Sequence, residues 1–200
     1  MKHGEIRDAA GALGISLVDS QIDVLDSYET LLRERGITLG LIAGGDAGRI
    51  WERHIMDCLR AARIPGRAAS GYDLGSGAGL PGIVIAIVRP DLGIGLVEPR
   101  LRRAAFLEMA ARELELPGVW VEPRAARDLD RRVGFCLARA LAPAPESWAM
   151  AERLLLPGGR LIYFAGRGSR VPEALPGARS IEALKALLES SGPLVIMTRE

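Results

Sequence analysis

The residues whose types and spacing best support chemistry are the acid and the glycines of segment 73–82, which reads Asp-Leu-Gly-Ser-Gly-Ala-Gly-Leu-Pro-Gly. A strand-like run, 72–74, enters this segment, and a helix-like run, 83–88, leaves it. Glycines at a strand-to-helix turn let the chain bend sharply and let a ligand approach the backbone closely. The segment therefore predicts a loop that binds a nucleoside or nucleotide at the carboxyl end of a strand.

Two glycine patterns overlap in this loop. Gly77, Gly79 and Gly82 match G-x-G-x-x-G, the dinucleotide fingerprint that places a pyrophosphate on a helix amino terminus. Gly75, Gly77 and Gly79 match G-x-G-x-G, with Asp73 two residues upstream. A carboxylate in that place repels a pyrophosphate but suits a ligand that bears an ammonium and a sulfonium. The second pattern favours S-adenosylmethionine over NAD as the cofactor.

A second acid, Glu98, ends the next strand-like run, 94–98, nineteen residues past Gly79. An acid at this position can accept hydrogen bonds from both hydroxyls of an adenosine ribose. Because S-adenosylmethionine and NAD both contain that ribose, Glu98 supports a nucleoside cofactor without separating the two.

The remaining chemistry-bearing residues favour methyl transfer over hydride transfer. Hydride transfer needs an acid–base group such as a tyrosine assisted by lysine, and neither Lys2 nor Lys185 is placed for it. The hydrolase motifs G-x-S-x-G and H-E-x-x-H do not occur. A sulfonium donor is already activated, so proximity and alignment supply much of the rate. A guanine N7 acceptor carries a lone pair and no proton, and so requires no general base.

The elements that must position these residues follow a β–α alternation, which predicts a mostly parallel, doubly wound α/β sheet with helices on both faces. Strands are predicted at 72–74, 94–98, 119–121, 133–137 and 161–164, and helices at 83–88, 101–114 and 147–156. The last forty residues fit two alternatives. Either a helix at 181–188 precedes a strand at 194–197, or Ser191-Gly192 is the tip of a hairpin between antiparallel strands.

The front of the chain is predicted to be helical. Apolar side chains at helical spacing indicate one helix within 5–35, and a second helical pattern covers 49–59. Pro65-Gly66 closes this section, so we expect a helical cap on the substrate side at 1–66 and a cofactor-binding core at 67–200, packed as one compact unit. His54, on the second helix, could lie beside the pocket or simply bond to Asp57.

The composition sets the class of protein. The 200 residues are 48% hydrophobic and 26% charged, which fits one globular domain. The apolar runs fall short of the roughly 20 residues of a membrane-spanning helix, and the first residues lack the features of a signal peptide. Cys58 and Cys136 match no metal-site spacing and are expected to be buried. These features predict a cytoplasmic protein without a metal.

The charge of the chain is almost balanced, at +1, but its basic residues are 24 arginines and two lysines. The planar fork of arginine suits phosphates and stacked bases. A genome rich in G and C explains the same excess through codon usage. Both explanations stay open from the sequence.

Taken together, these residues resemble the ribosomal RNA small-subunit methyltransferase G family, also called glucose-inhibited division protein B. The resemblance begins with the run 73–82, in which Leu80-Pro81-Gly82 follows the third loop glycine. It continues, firmly from about residue 49 to 168, through Arg53-His54-Ile55, Asp57, Ile87-Val88-Arg89-Pro90-Asp91, Arg102-Arg103, Phe106-Leu107, Arg124, Arg139-Ala140, Pro157-Gly158-Gly159 and Arg167-Gly168.

The resemblance implies a Rossmann-like class I methyltransferase that uses S-adenosylmethionine to methylate a guanine N7 of 16S (small-subunit) ribosomal RNA by direct in-line transfer. The expected cofactor-binding residues are Asp73, Gly75, Ser76, Gly77, Gly79, Leu80, Glu98, Ala125, Ala126 and Arg139. The arginines expected to bind RNA are Arg53, Arg102, Arg103, Arg124 and Arg167. Arg139 and His54 are expected to position the substrate, with no catalytic base. The expected partner is the ribosomal RNA or the 30S particle, bound by a monomer.

The chain departs from the family pattern in two places. Gly40-Leu41-Ile42 stands where the family usually has Asn-Leu-Thr, and Ala126 stands where it usually has an acid beside the adenine. Two alternatives therefore stay open: a methyltransferase paralogue that acts on another RNA or a small molecule, and a cofactor-binding relative without catalysis.

Overall fold

The computed structural model describes residues 3–66, 70–185 and 191–200 and consists of an α/β fold built on one seven-stranded sheet. The strands are β1 (Ser70–Leu74), β2 (Gly93–Val97), β3 (Val119–Glu122), β4 (Val133–Arg139), β5 (Leu155–Phe164), β6 (Ala178–Leu184) and β7 (Leu194–Arg199). Their order in the sheet is β3-β2-β1-β4-β5-β7-β6. β1 to β5 pair in parallel, and β7 runs antiparallel to both of its neighbours. The predicted mostly parallel, doubly wound sheet is confirmed.

The helices cover the sheet and form the front of the molecule. They are α1 (His3–Ala12), α2 (Asp19–Leu31), α3 (Met56–Leu59), α4 (Gly82–Val88), α5 (Leu101–Glu113) and α6 (Ala144–Glu152). A π-helical turn, Leu32–Gly36, extends α2, and a second one, Trp51–Ile55, leads into α3. The predicted helical front section is confirmed. The one helix expected within 5–35 is replaced by two, α1 and α2, which residues 13–18 separate.

The front section packs on the sheet because both present apolar faces to one hydrophobic core. Ile22, Leu25 and Tyr28 of α2 are fully buried in the same cluster as Ile83 of α4. The Tyr28 hydroxyl, also buried, donates a hydrogen bond to the Ala78 carbonyl at 2.7 Å. This contact fixes α2 directly above the glycine loop. The division at residues 66 and 67 as separate functional parts stays a prediction.

Two predicted elements need correction. The helix predicted at 147–156 is α6, which begins three residues earlier and ends before Leu155, because Leu155 is buried and starts the long strand β5. The helix predicted at 181–188 is wrong over its described part, since 181–184 belong to β6. The hairpin alternative is right in its two antiparallel strands, while 186–190 lie outside the described residues.

The edge of the sheet explains the second error. Helical spacing of apolar residues in a short segment also fits a half-exposed strand. Pairing with β7 satisfies the backbone groups of β6, which the periodicity of the sequence does not report.

The expectation that both cysteines are buried is confirmed: Cys58 and Cys136 are buried free thiols. Within the described ranges, no helix has the length and apolar character needed to cross a membrane.

Candidate functional site

A pocket opens where β1 and β4 lie side by side and their connections leave in opposite directions along the sheet. This switch point is where open α/β sheets bind ligands. The pocket has a volume of about 240 Å³. It is formed by the glycine loop, the cap, the end of β4 and the start of α5. It is lined by Leu41, Ile42, His54, Gly75, Ser76, Gly77, Ala78, Leu80, Arg103, Arg139 and Ala140.

The glycine loop turns back over the end of β1 through backbone conformations that favour glycine. Gly75, Gly77 and Gly79 have φ angles of +69°, +56° and +92°. The amides of Gly75 and Ser76 donate to the Val97 carbonyl at 2.9 and 3.0 Å, which ties the loop to β2. The loop is therefore a fixed cradle without side chains on three of its residues, so a ligand can approach its backbone closely.

Replacing Gly75 by alanine is expected to destabilise this cradle more than a positive φ alone does. The new Cβ would lie 2.6 Å from Leu141 Cδ1, so this half-buried side chain must change its rotamer, and a cost of about 0.5–1.5 kcal/mol adds to a backbone cost of about 1–2 kcal/mol. Gly158, with φ +73° and open space around its Cβ position, is the matched control. In denaturant unfolding, Gly75→Ala should lose about 1 kcal/mol more than Gly158→Ala. Equal losses in the two variants would contradict the contact.

Asp73 lies beneath the loop rather than in the pocket. Its side chain is 1% exposed, and Oδ2 accepts a hydrogen bond from the Gly82 amide at 3.0 Å, at the start of α4. Burial raises the pKa of Asp73 to about 7, against the lowering effect of the Gly82 and Ser76 hydrogen bonds. The Asp73 side chain thus holds the loop against the start of α4, and its role toward a cofactor stays a prediction.

Glu98 joins the end of β2 to the middle of the glycine loop. Its carboxylate is 4% exposed; Oε2 accepts from the Gly77 amide at 3.2 Å, and Oε1 accepts from the Arg100 amide at 3.0 Å. A carboxylate oxygen has two lone pairs, so each oxygen keeps the capacity to accept one further hydrogen bond. Glu98 does not itself line the pocket, but it lies directly behind the Gly77 amide of the cradle. A glycine cradle with an acid at the end of the next strand fits a nucleoside cofactor whose ribose diol the acid would take.

Arg139, the last residue of β4, is held by the cap rather than free in the pocket. Nη2 donates to the Arg53 carbonyl at 3.3 Å and lies 2.9 Å from His54 Nδ1, while Nε is 3.5 Å from the Asp57 carboxylate. Its Nη1 lies 3.7 Å from the Cys58 sulfur. The guanidinium therefore forms a rigid wall of the pocket and fixes the segment 51–59 against the carboxyl end of the sheet.

The contacts of His54 define its protonation. Arginine has only donors, so Nδ1 must accept from Arg139 and Nε2 must carry the proton, which it donates to Asp46 Oδ2 at 3.1 Å. The observed acidic partner is Asp46, and not the Asp57 suggested by sequence spacing. Burial, followed by the Arg139 charge, lowers the pKa of His54 below its usual 6.5, against the effect of Asp46. His54 is therefore a neutral link between Asp46 and Arg139.

This link makes stability depend on pH in one direction. Because the folded-state pKa is lowered, the unfolded chain binds more protons below pH 6.5, and stability falls as pH falls from 6.5 toward that lower pKa. One proton gives a slope of at most about 1.4 kcal/mol per pH unit. The raised pKa of Asp73 adds stability as pH falls over the same range, but it does so in the wild type and in His54→Gln alike, so the contribution of His54 is the difference between the two proteins. In unfolding measured from pH 8 to 5, the wild type should lose stability relative to His54→Gln, which cannot be protonated, as the pH falls below 6.5. Parallel profiles for the two proteins would contradict the lowered pKa of His54.

The other predicted residues divide into those near the pocket and those outside it. Arg103 lines the pocket, and Arg53 is paired with Asp46 at 2.6 Å beside it. Ala125 and Ala126 are half-buried on the turn after β3 and do not line the pocket. Three further arginines are exposed and do not line it either: Arg102, Arg124 (ion-paired with Glu122) and Arg167.

Sequence reasoning missed three contributions to this site. Leu41 and Ile42, from the glycine-rich cap loop, line the pocket, as does Ala140 with a φ of +52°. Two signals were available: the departure from the family pattern at Gly40-Leu41-Ile42, and the position of Ala140 directly after Arg139. Asp46 carries no signal in the sequence, because its role depends on a cap loop folding back onto segment 51–59.

Comparisons with known proteins agree with this geometry. A family model for rRNA small subunit methyltransferase G, GidB, matches residues 21–188. The Ribosomal RNA small subunit methyltransferase G of Thermobifida fusca (strain YX) is 40% identical over 165 residues, 82% of this chain and 69% of that protein. The protein of that name from Paracoccus denitrificans (strain Pd 1222) is 43% identical over 152 residues, 75% of this chain and 79% of that one.

The matches cover only part of each relative, and a solved structure has a similar fold. Matches to curated relatives span from 59% to 79% of the relatives' own length. A crystal structure of MtNAS in complex with S-adenosylmethionine aligns with a TM-score of 0.61 at 15% identity, over 98% of this chain and 76% of that one. At this identity the likeness concerns the fold.

Proposed function

The chain belongs to the rRNA small subunit methyltransferase G family, and we propose that it methylates a guanine N7 of 16S (small-subunit) ribosomal RNA with S-adenosylmethionine as the donor. The observation that carries the proposal is the placement of Glu98, directly after β2, against the Gly77 amide of the loop that lies at the switch point. This pairing of a glycine cradle with an acid at the end of the second strand suits an adenosine-containing cofactor.

The residues divide the work of cofactor binding. The backbone of Gly75 and Gly77 would face the amino-acid part of the cofactor, and Glu98 would accept the ribose hydroxyls. Ala125 and Ala126 would lie toward the adenine, where backbone groups can take the place of an acidic side chain. Asp73 would act from below, through the shape of the loop. When bound, S-adenosylmethionine supplies an electrophilic methyl group on a sulfonium.

The chain's part in the reaction is positioning. A guanine N7 offers a lone pair and no proton, so the site needs no residue to accept one. Arg139 and His54 form a wall of the pocket that would orient the guanine for in-line attack, which is where proximity contributes most to the rate. Arg53 and Arg103 lie beside the pocket, where they would contact RNA. Arg124 and Arg167 lie farther from the pocket, and we expect them to contact more distant parts of the RNA.

The balanced charge of the chain shapes what we expect of RNA binding. With a net charge of +1, affinity should come from a local group of arginines and from shape rather than from a strongly basic surface. We expect the chain to act as a cytoplasmic monomer on the 30S particle or its RNA.

Two measurements test the proposal. Isothermal titration should give binding of S-adenosylmethionine and none of comparable strength with NAD. Labelled methyl groups should then transfer to purified small subunits or to their RNA, and not to a metabolite pool. Transfer to a metabolite or to another RNA would favour a paralogue with a different acceptor. Cofactor binding without transfer to any acceptor would favour a relative without catalysis.

A further inference from the structure

A groove of about 490 Å³ lies beside the pocket, between the cap and the start of α5. One wall comes from the cap loop after α2, and the other comes from the first turn of α5. Its lining residues are Thr38, Leu39, Leu41, Arg100, Leu101, Arg102 and Arg103. Leu41 and Arg103 also line the pocket, so the groove and the pocket meet along a shared edge.

The first turn of α5 carries charges of the sign that a helix amino terminus disfavours. Arg100 is the N-cap, Arg102 and Arg103 follow within the first turn, and that turn contains no acid. The positive end of the helix dipole makes each such cation unfavourable by about 0.3–1 kcal/mol. Within the described part of the chain, the three guanidinium groups form no hydrogen bond or ion pair that offsets this cost. Stability alone does not explain three arginines here.

The same turn also exposes apolar surface. Leu101 is 73% exposed, the highest value among the large hydrophobic residues of the described chain, and Leu39 across the groove is 43% exposed. An isolated exposed leucine needs no explanation, but two that face one groove between unpaired arginines form a mixed apolar and cationic surface. A chain of alternating phosphates and flat bases has the matching chemistry, because arginine contacts phosphate and apolar side chains contact base faces.

We infer that this groove binds the single-stranded RNA flanking the target guanine, with Arg100 and Arg102 on phosphates and Leu39 and Leu101 against a base or ribose. The inference rests on the proposed function and adds the surface that holds the RNA. The groove meets the pocket at Arg103 and Leu41, so a strand lying in it would deliver a neighbouring base to the pocket. A volume of about 490 Å³ accommodates one nucleotide, with the rest of the strand along the open edge.

The test compares groove variants with matched controls on the same scaffold. The groove variants are Leu101→Ser and the double variant Arg100→Ala/Arg102→Ala. The controls are Leu156→Ser, at a leucine that is 47% exposed on β5, and Arg112→Ala, at an arginine in the last turn of α5. Each protein is titrated with a protein-free small-subunit rRNA transcript at several salt concentrations, with intact 30S particles, and with S-adenosylmethionine.

We expect the double variant to bind the transcript at least tenfold more weakly, and Leu101→Ser about fivefold more weakly. The slope of log affinity against log salt should fall by roughly 0.7 for each phosphate contact removed. Both controls should match the wild type, and the affinity for S-adenosylmethionine should stay the same in every variant.

Three results would overturn the inference about the groove alone, and a fourth would overturn the proposed function with it. If the groove variants bind the transcript as the controls do, RNA does not occupy the groove, and the proposed function stands. If they lose 30S binding alone, the groove contacts a ribosomal protein instead. If they lose S-adenosylmethionine affinity in equal measure, these residues shape the cofactor site. A wild type that neither binds nor methylates the RNA removes the proposed function together with the groove.

Discussion

Replacing Glu98 by alanine is expected to weaken S-adenosylmethionine binding by roughly a hundredfold. The change removes the carboxylate that accepts from the Gly77 amide and that we propose as the charged acceptor of the two ribose hydroxyls. Hydrogen bonds to a charged group contribute about 1.5–3 kcal/mol each, so a loss of about 3 kcal/mol is expected, and 1.4 kcal/mol is tenfold in affinity. The Gly77 and Arg100 amides also lose their acceptor, which loosens the cradle. Isothermal titration measures the effect.

Two further variants separate recognition of the ribose from damage to the loop. Glu98→Asp keeps the carboxylate, one methylene shorter, and should retain much more affinity than alanine. Glu108→Ala removes an exposed acid from α5 and should bind as the wild type does. If Glu98→Ala binds S-adenosylmethionine within threefold of the wild type, Glu98 does not hold the cofactor.

Replacing Arg60 by methionine is expected to produce the largest loss of stability, about 3 kcal/mol or more. Arg60 and Asp57 form a buried pair at 2.5 Å, and Arg60 also donates to the Gly192 carbonyl at 3.1 Å. Breaking a buried pair on one side typically costs about 3–5 kcal/mol. Asp57 would keep only the more distant Arg139, at 3.5 Å, as a cationic partner, so we expect the lower end of that range. For a chain of this size, such a loss lowers the melting temperature by roughly 10 °C. Thermal and denaturant unfolding measure it.

The double variant Asp57→Asn/Arg60→Met is the control for this prediction. It removes the buried carboxylate together with its partner. The amide that replaces the carboxylate can still accept from Ser191, whose hydroxyl donates to Asp57 at 2.6 Å in the wild type. We expect the double variant to recover at least 1 kcal/mol relative to Arg60→Met alone. A double variant that is as unstable as the sum of both single changes would show that the two residues do not act as a pair.

Arg60 has this effect because of where it lies. The pair ties the cap at α3 to the chain just before β7, and Asp57 also faces Arg139 at 3.5 Å. One buried network therefore holds the cap, the hairpin and the wall of the pocket. We expect Arg60→Met to lower cofactor affinity as well, through a looser wall rather than through a lost contact.

Local patterns in the sequence predicted most of the sheet and the centre of the site. The glycine loop, Glu98 and Arg139 sit at strand ends, and strand ends meet at one edge of a parallel sheet, so their meeting follows from the β–α alternation. The apolar runs also predicted β1 to β5. Each of these strands pairs in parallel and packs against the core, and buried parallel strands consist largely of apolar residues.

Contacts between distant segments could not be predicted in this way. Asp46 reaches His54 only because the cap loop folds back, and periodicity within a helix pointed instead to Asp57. The spacing of Asp73 suggested a ligand contact, but its side chain accepts a hydrogen bond from the Gly82 amide beneath the loop. The pairing of β6 with β7 depends on the edge that β5 presents, which a helical pattern of leucines does not reveal.

The identity of the methylated nucleoside tests directly whether the protein transfers a methyl group to a guanine N7. Small subunits isolated without this modification are incubated with the protein and S-adenosylmethionine carrying a labelled methyl group, and the RNA is digested to nucleosides for mass spectrometry. We expect label in N7-methylguanosine from the small-subunit RNA, and strongly reduced label with Glu98→Ala. Label on another atom or base, or its complete absence with a protein that binds the cofactor, would contradict it.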